Sequence, residues 1–70
     1  MKEIKAIMAG TVLSIHVLPG EQISIGQEVL ILESMKMAIP IESNETGKVT
    51  RIKVKIGDFV NEDDVLIHLE

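Results

Sequence analysis

The chain repeats itself. Sliding it by 37 positions lays GTVLSIHVLPGEQISIGQEVLILE (residues 10–33) on GKVTRIKVKIGDFVNEDDVLIHLE (residues 47–70) without a gap, and seven of the 24 pairs are identical. The identities are Gly10/Gly47, Val12/Val49, Ile15/Ile52, Val17/Val54, Gly20/Gly57, Leu32/Leu69 and Glu33/Glu70. Other pairs exchange like for like, among them Glu21/Asp58, Ile23/Val60, Val29/Leu66 and Leu30/Ile67. Halves so alike are expected to form one structural unit used twice. Two copies are too few for a solenoid, which needs three or more repeats to bury its core, so two halves packed face to face about a pseudo-twofold axis fit better.

Each copy reads as strands with turn punctuation. The apolar residues are mainly Ile, Val and Leu, with Phe59 the only aromatic, a balance that favours strands. The shared pattern G-x-V-x-x-I-x-V alternates at period two except for one three-residue step, Val12 to Ile15 and again Val49 to Ile52. A bulge or sharp bend at the same place in each half explains that step. Pro19-Gly20 and Gly57-Asp58 mark turns, followed by very short strands around Ile23 and Val60. The main strands are expected at residues 3–7, 11–18, 28–33, 37–42, 47–55 and 64–69. Together they predict an all-β fold, a flattened antiparallel barrel of two four-stranded sheets.

Seventy residues make a single domain, 1–70, near the lower size limit for a self-sufficient core. The chain has no cysteine, so disulfides, thiolate zinc sites and thiol nucleophiles are excluded and a reducing compartment fits best. A net charge of −4 argues against nucleic acid and anionic membranes as partners. The N-terminal MKEIKAIMAG has no secretory apolar region, and no apolar run reaches transmembrane length. The expected location is the cytoplasm.

Between the two copies lies the segment 34–46, which opens as a hairpin. With Met35 and Lys36 as a two-residue turn, the cross-strand pairs are Ser34/Met37, Glu33/Ala38, Leu32/Ile39, Ile31/Pro40 and Leu30/Ile41. This register gathers Leu30, Leu32, Ile39 and Ile41 on one apolar face and requires Pro40 to sit at an edge or a non-donating position. The turn residues are unusual, because two-residue hairpins require positive φ and favour Asn-Gly or glycine pairs. A local rule broken at an exposed tip is where function overrides folding preference. Lys36 is then the most exposed point of the chain, and Met35 and Met37 offer soft apolar surface for transient docking. A surface lysine is ordinarily a solvated charge, and a methionine at a strand end ordinarily packing filler; the repeat and the register single this lysine out without saying what it is for.

At these residues the chain resembles the biotin/lipoyl attachment family. Glu33-Ser34-Met35-Lys36-Met37 is similar to the E-A-M-K-M signature of biotin carboxyl carrier domains, whose central lysine becomes biotinylated. The likeness extends to the G-x-V before each long strand, the G-[DE]-x-[IV] after it, and Ile39-Pro40-Ile41 behind the motif. It implies a hammerhead-type barrel with Lys36 on a hairpin at one end and both termini at the other. It implies further that a biotin protein ligase joins biotin to the Lys36 amine from an acyl-adenylate. The carrier would then serve biotin carboxylase and carboxyltransferase sites, with no catalysis of its own. Glu33, Ser34, Met35 and Met37 accompany Lys36 as the cofactor-bearing motif.

The sequence departs from the pattern in several places. Ser34 stands where biotin domains usually have Ala, and Glu33-Ser34 also resembles the E-[ST]-D-K-A signature of lipoyl domains, which keeps lipoate and a lipoyl ligase open. Met35 and Met37 oppose that alternative. Asp63 replaces a glycine common in the second half-repeat, so the turn over residues 61–64 is expected to be built differently. The segment around Gly20 is too short for a protruding thumb, and no Ala/Pro-rich linker is present. An unmodified barrel that only binds partners is the third function class.

The remaining polar residues read as structural. His16 and His68 are expected in strands as surface or edge histidines. Glu62-Asp63-Asp64 with Asp58 reads as turn chemistry rather than a hard-cation site. Gly10, Gly20, Gly47 and Gly57 read as devices for bends and turns, since no G-x-G-x-x-G occurs.

Overall fold

A computed structural model describes residues 2–70. Among them the order is β1 (Lys2–Lys5), β2 (Gly10–Ile15), β3 (Gln22–Ile23), β4 (Glu28–Ser34), β5 (Met37–Glu42), β6 (Gly47–Ile52), β7 (Phe59–Val60) and β8 (Val65–Leu69). No described residue is helical. The strands form two antiparallel four-stranded sheets, ordered β1-β8-β6-β3 and β5-β4-β2-β7. Shifting numbers by 37 carries one order onto the other, strand for strand, which is the pseudo-twofold expected from the repeat.

The two halves are interlocked rather than side by side. β7 of the second half pairs with β2 of the first, and β3 of the first pairs with β6 of the second. Backbone bonds repeat the exchange: Gly20 N–H donates to Val49 O at 2.7 Å and Gly57 N–H to Val12 O at 2.8 Å. The reverse bonds, Val49 N–H to Glu21 O and Val12 N–H to Asp58 O, are both 2.8 Å. Each half therefore supplies the turn that satisfies the other half's long strand, and neither can close its core alone.

The three-residue steps are bulges. Pairing of β2 with β4 shifts register between Val12 and Ser14, and pairing of β6 with β8 shifts between Val49 and Arg51. The extra residue bends each strand around the barrel, and the bend ends the strands earlier than alternation alone predicts. β2 stops at Ile15 rather than residue 18, β6 at Ile52 rather than 55, and β1 at Lys5 rather than 7. Single bonds continue past the ends, from His16 N–H to Val29 O and from Lys53 N–H to Leu66 O, both 2.8 Å. The shortening thus marks curvature and not loss of contact.

Inward positions of both sheets make one aliphatic core, with Ile4, Val12, Ile23, Leu30, Leu32, Ile41, Val49, Leu66, Ile67 and Leu69 buried. Ile15, Ile39, Ile52 and Val54 close its margins. Among the described residues Ser43 is the buried polar side chain; its hydroxyl donates to Glu45 O and accepts from Glu45 N–H. Edges are blunted in the usual ways: β3 and β7 have two residues each, β1 carries Lys2 and Lys5, and β5 carries Pro40.

Gly10 and Gly47 do something other than bend the chain. A Cβ on Gly10 would lie 2.6 Å from Glu33 O, and one on Gly47 would lie 2.7 Å from Glu70 O. They allow two backbones to touch, which accounts for the identical pair Gly10/Gly47. Gly20 and Gly57 are the turn glycines, with φ of 93° and 95°. Asp63 adopts φ 72°, in register with Gly26 at 88°. The turn over residues 61–64 is built like its counterpart, contrary to expectation: Asp64 N–H donates to Asn61 O at 3.0 Å and Gln27 N–H to Ser24 O at 3.1 Å. An aspartate takes the left-handed conformation there that glycine takes in the first half.

The result measures 31 × 19 × 18 Å. β6 begins beside Glu70, and its continuation delivers Gly57 to Val12, across the sheet from Leu32. It therefore runs the length of the barrel, and the β4–β5 tip faces away from the paired ends of β1 and β8.

Candidate functional site

The tip is built by the register read from the sequence. Ser34/Met37, Glu33/Ala38, Leu32/Ile39, Ile31/Pro40 and Leu30/Ile41 are all observed as β4–β5 pairs, and Glu28/Glu42 follows beyond a register shift. Leu30, Leu32 and Ile41 are buried and anchor the hairpin, so the turn is held by a rigid base. Pro40 lies on the edge strand β5, where its missing N–H breaks no ladder.

Met35 and Lys36 form the turn with φ of 54° and 64°. Both central residues are left-handed, the I′ geometry whose twist matches the flanking strands. A non-glycine residue there costs about 1–2 kcal/mol. This strain places Lys36 at the apex, exposed, and among the described residues its ammonium group has no hydrogen-bond or ion-pair partner. Met35 is 92% exposed and Met37 62%, far more than packing filler would be. An unhindered primary amine between two exposed thioethers is suited to covalent acylation by an outside enzyme.

The other two motif residues part company, since neighbours along a strand point to opposite faces. Glu33 is exposed on the outer face, in one row with Thr11 and Ala38. Ser34 is half-buried and pairs with Met37 on the inner side, at the mouth of the barrel. Ser34 is thus a neighbour of Met37, and Glu33 reaches Lys36 through the strand rather than across space.

One cluster escaped the sequence analysis. Ser14 Oγ lies 2.9 Å from His16 Nε2, and His16 Nδ1 lies 2.7 Å from Glu28 Oε2. His16 sits just beyond β2, not within a strand as expected. The S-x-H spacing places both side chains on one strand face and was the available signal. The chain of three is solvent-exposed and serves as a polar tie between the end of β2 and the start of β4. His68 lies in β8, half-buried, with Nδ1 3.9 Å from Glu3 Oε2. Asp58 accepts from Lys55 N–H at 2.9 Å and Asp64 from Asn61 N–H at 2.8 Å, so these acids close turns. Among the described residues no group of three or more His, Asp or Glu has the geometry of a metal site.

An all-β double sheet with a strained, lysine-tipped hairpin defines a carrier-type attachment domain. The family model described as "Biotin-requiring enzyme", the biotin/lipoyl model, matches residues 2–69. The chain is 58% identical over 62 residues to a biotin/lipoyl attachment protein of Bacillus subtilis, covering 89% of this chain and 85% of that one. It is 41% identical over 63 residues to the mitochondrial propionyl-CoA carboxylase alpha chain of Sus scrofa, covering 90% of this chain and 9% of that one. The crystal structure of the Kluyveromyces lactis urea carboxylase matches 99% of this chain and 6% of that one, with a TM-score of 0.90 at 25% identity. The chain belongs to the biotin/lipoyl attachment family and is similar to the biotin carrier domains of carboxylases.

Proposed function

We propose that this protein is a biotin carrier, a single cytoplasmic attachment domain modified on Lys36 by a biotin protein ligase, with no catalysis of its own. The observation that carries the proposal is the unpartnered Lys36 amine at the apex of a left-handed turn between two exposed methionines. In the modification the Lys36 Nζ lone pair attacks the acyl carbon of biotinyl-adenylate, an amide bond forms, AMP departs, and the amine's proton leaves to a base on the ligase. The chain's contribution is to hold that amine clear of its own surface, on a hairpin anchored by Leu30, Leu32 and Ile41. Glu33, Ser34, Met35 and Met37 complete the motif, with the methionines forming the apolar collar of the attached group.

When attached, biotin supplies a ureido nitrogen that carries carboxylate between biotin carboxylase and carboxyltransferase sites. The protein then acts as a mobile arm. Its 31 Å length places the lysine at one end, so the group can enter a partner's site while the rest of the barrel stays outside. Likeness to carboxylase carrier domains and the Met35-Lys36-Met37 sequence support biotin over lipoate.

Streptavidin blotting of protein from the native host, beside a Lys36→Arg variant, tests this. A signal on the wild type that the substitution abolishes is expected. A lipoyl-antibody signal in its place would move the chain to the lipoyl branch, and a streptavidin signal surviving the substitution would put the attachment site elsewhere.

A further inference from the structure

The pseudo-twofold provides an internal control for surfaces. Residues 11–15, 28–32, 39–42 and 59–60 of the lysine-bearing sheet have counterparts 37 positions away in the strands of the other sheet. Alternation along β4, β5 and β7 points Ile31, Pro40 and Phe59 outward on the lysine-bearing sheet, and the bulge of β2 leaves Leu13 exposed beside Ser14, the partner of Ile31. Phe59 is 65% exposed and Leu13 41%, and Pro40 is exposed as well. Their counterparts on the other sheet are Gln22, Thr50, His68 and Glu3. The same fold position is therefore apolar on one face and polar on the other, so the apolar side chains there are not demanded by the barrel.

Charge divides the same way. The strands of the lysine-bearing sheet contain Glu28, Glu33 and Glu42 and no Lys or Arg. The strands of the other sheet contain Lys2, Lys5, Lys48 and Arg51 against Glu3 alone. A partner for the first face must offer apolar side chains with basic groups around them, and the cationic face of a second copy lacks the apolar part.

We infer that the outer face of β5-β4-β2-β7, centred on Leu13, Ile31 and Phe59, is the docking surface for the ligase that acylates Lys36, whose matching face is apolar with a basic rim. This rests on the biotin reading above. The ligase is the occupant because it alone meets the chain before the prosthetic group is attached. Enzymes that use the modified domain can recognise the bound group itself. The ligase must select one lysine out of six from protein surface only, and the apolar face lies on the sheet that carries that lysine. Glu33, in the row between Thr11 and Ala38, gives the face its central charge.

Leu13→Thr combined with Phe59→Gln installs the residues that the fold already tolerates at the counterpart positions, so the variant keeps its barrel; amide NMR spectra verify this. Biotinylation kinetics with the host's purified biotin protein ligase, ATP and biotin provide the readout. The Michaelis constant for the carrier is expected to rise at least about tenfold with kcat little changed, as when an apolar anchor leaves an interface. Wild-type KM should also rise with added salt. Arg51→Ser, on the opposite sheet, should behave as wild type. Unchanged kinetics in the double variant, or equal losses in the double variant and Arg51→Ser, would overturn the docking surface while leaving the biotin reading standing. A wild-type chain that the ligase leaves unmodified would instead overturn the biotin reading itself.

Discussion

Replacing Met35-Lys36 by Asn-Gly should make the protein more stable. Met35 and Lys36 hold φ of 54° and 64°, and a left-handed conformation costs about 1–2 kcal/mol for a residue with an ordinary side chain. Asparagine relieves part of that cost at position 35. Glycine relieves all of it at position 36 but adds roughly 0.5–1 kcal/mol of entropy to the unfolded chain. The net gain for the pair is about 1–2 kcal/mol. For a domain of this size each kcal/mol moves Tm by about 4–8 °C, so a rise of roughly 4–16 °C is expected in thermal unfolding followed by circular dichroism. Gly57→Ala is the matched control. Its φ is 95° with open space around the site, so an added Cβ introduces backbone strain without a clash, and Tm should fall. If the Asn-Gly variant melts at or below the wild-type temperature, the tip is not strained and the argument that Met35 and Lys36 are kept against folding preference fails.

The same backbone logic extends to other positions. Asp63→Gly removes a left-handed side chain at φ 72° that aspartate already tolerates, and glycine adds roughly 0.5–1 kcal/mol of entropy to the unfolded chain, so stability should change by less than about 0.5 kcal/mol, measured by urea unfolding with an unchanged m value. Gly10→Ala drives a Cβ against Glu33 O and Gly47→Ala drives one against Glu70 O, whose residue is tied to Lys48 by backbone bonds, so each should lower stability by about 1–3 kcal/mol. Leu32→Ala empties a fully buried position at the hairpin base and should cost about 2–5 kcal/mol, enough to leave so small a domain partly unfolded by the same assay.

Much of this fold was legible because the repeat and the alternation constrain each other. The β4–β5 register followed from one assumption, a two-residue turn at Met35-Lys36, since a one-residue slip would take Ile39 and Ile41 off the face that holds Leu30 and Leu32. The bulges were legible as a break in period two shared by both copies. Strand ends were not, because curvature after a bulge is a property of the closed barrel and leaves no mark on residues 16–18 or 53–55. The Ser14–His16–Glu28 tie depends on which residue the bulge expels, and that requires the register with β4. Gly10 was recognised as a backbone device, but its reason, the approach of the Glu33 carbonyl, lies across the sheet. Asp63 misled because a missing glycine suggests a different turn, whereas aspartate tolerates the left-handed region well enough to keep the same one. At the tip, the turn position and exposure of Lys36 and its methionines were readable, while the separation of Glu33 and Ser34 onto opposite faces appeared only with the strand in place.

The most direct test of the account is intact-mass measurement of the protein purified from its native host, followed by peptide mapping of the added group. The account predicts a chain heavier by one biotinyl group, with the increment on the peptide containing Lys36 and lost in Lys36→Arg. A chain of unmodified mass from a host that contains active biotin protein ligase, or an increment mapped to any other lysine, would contradict it.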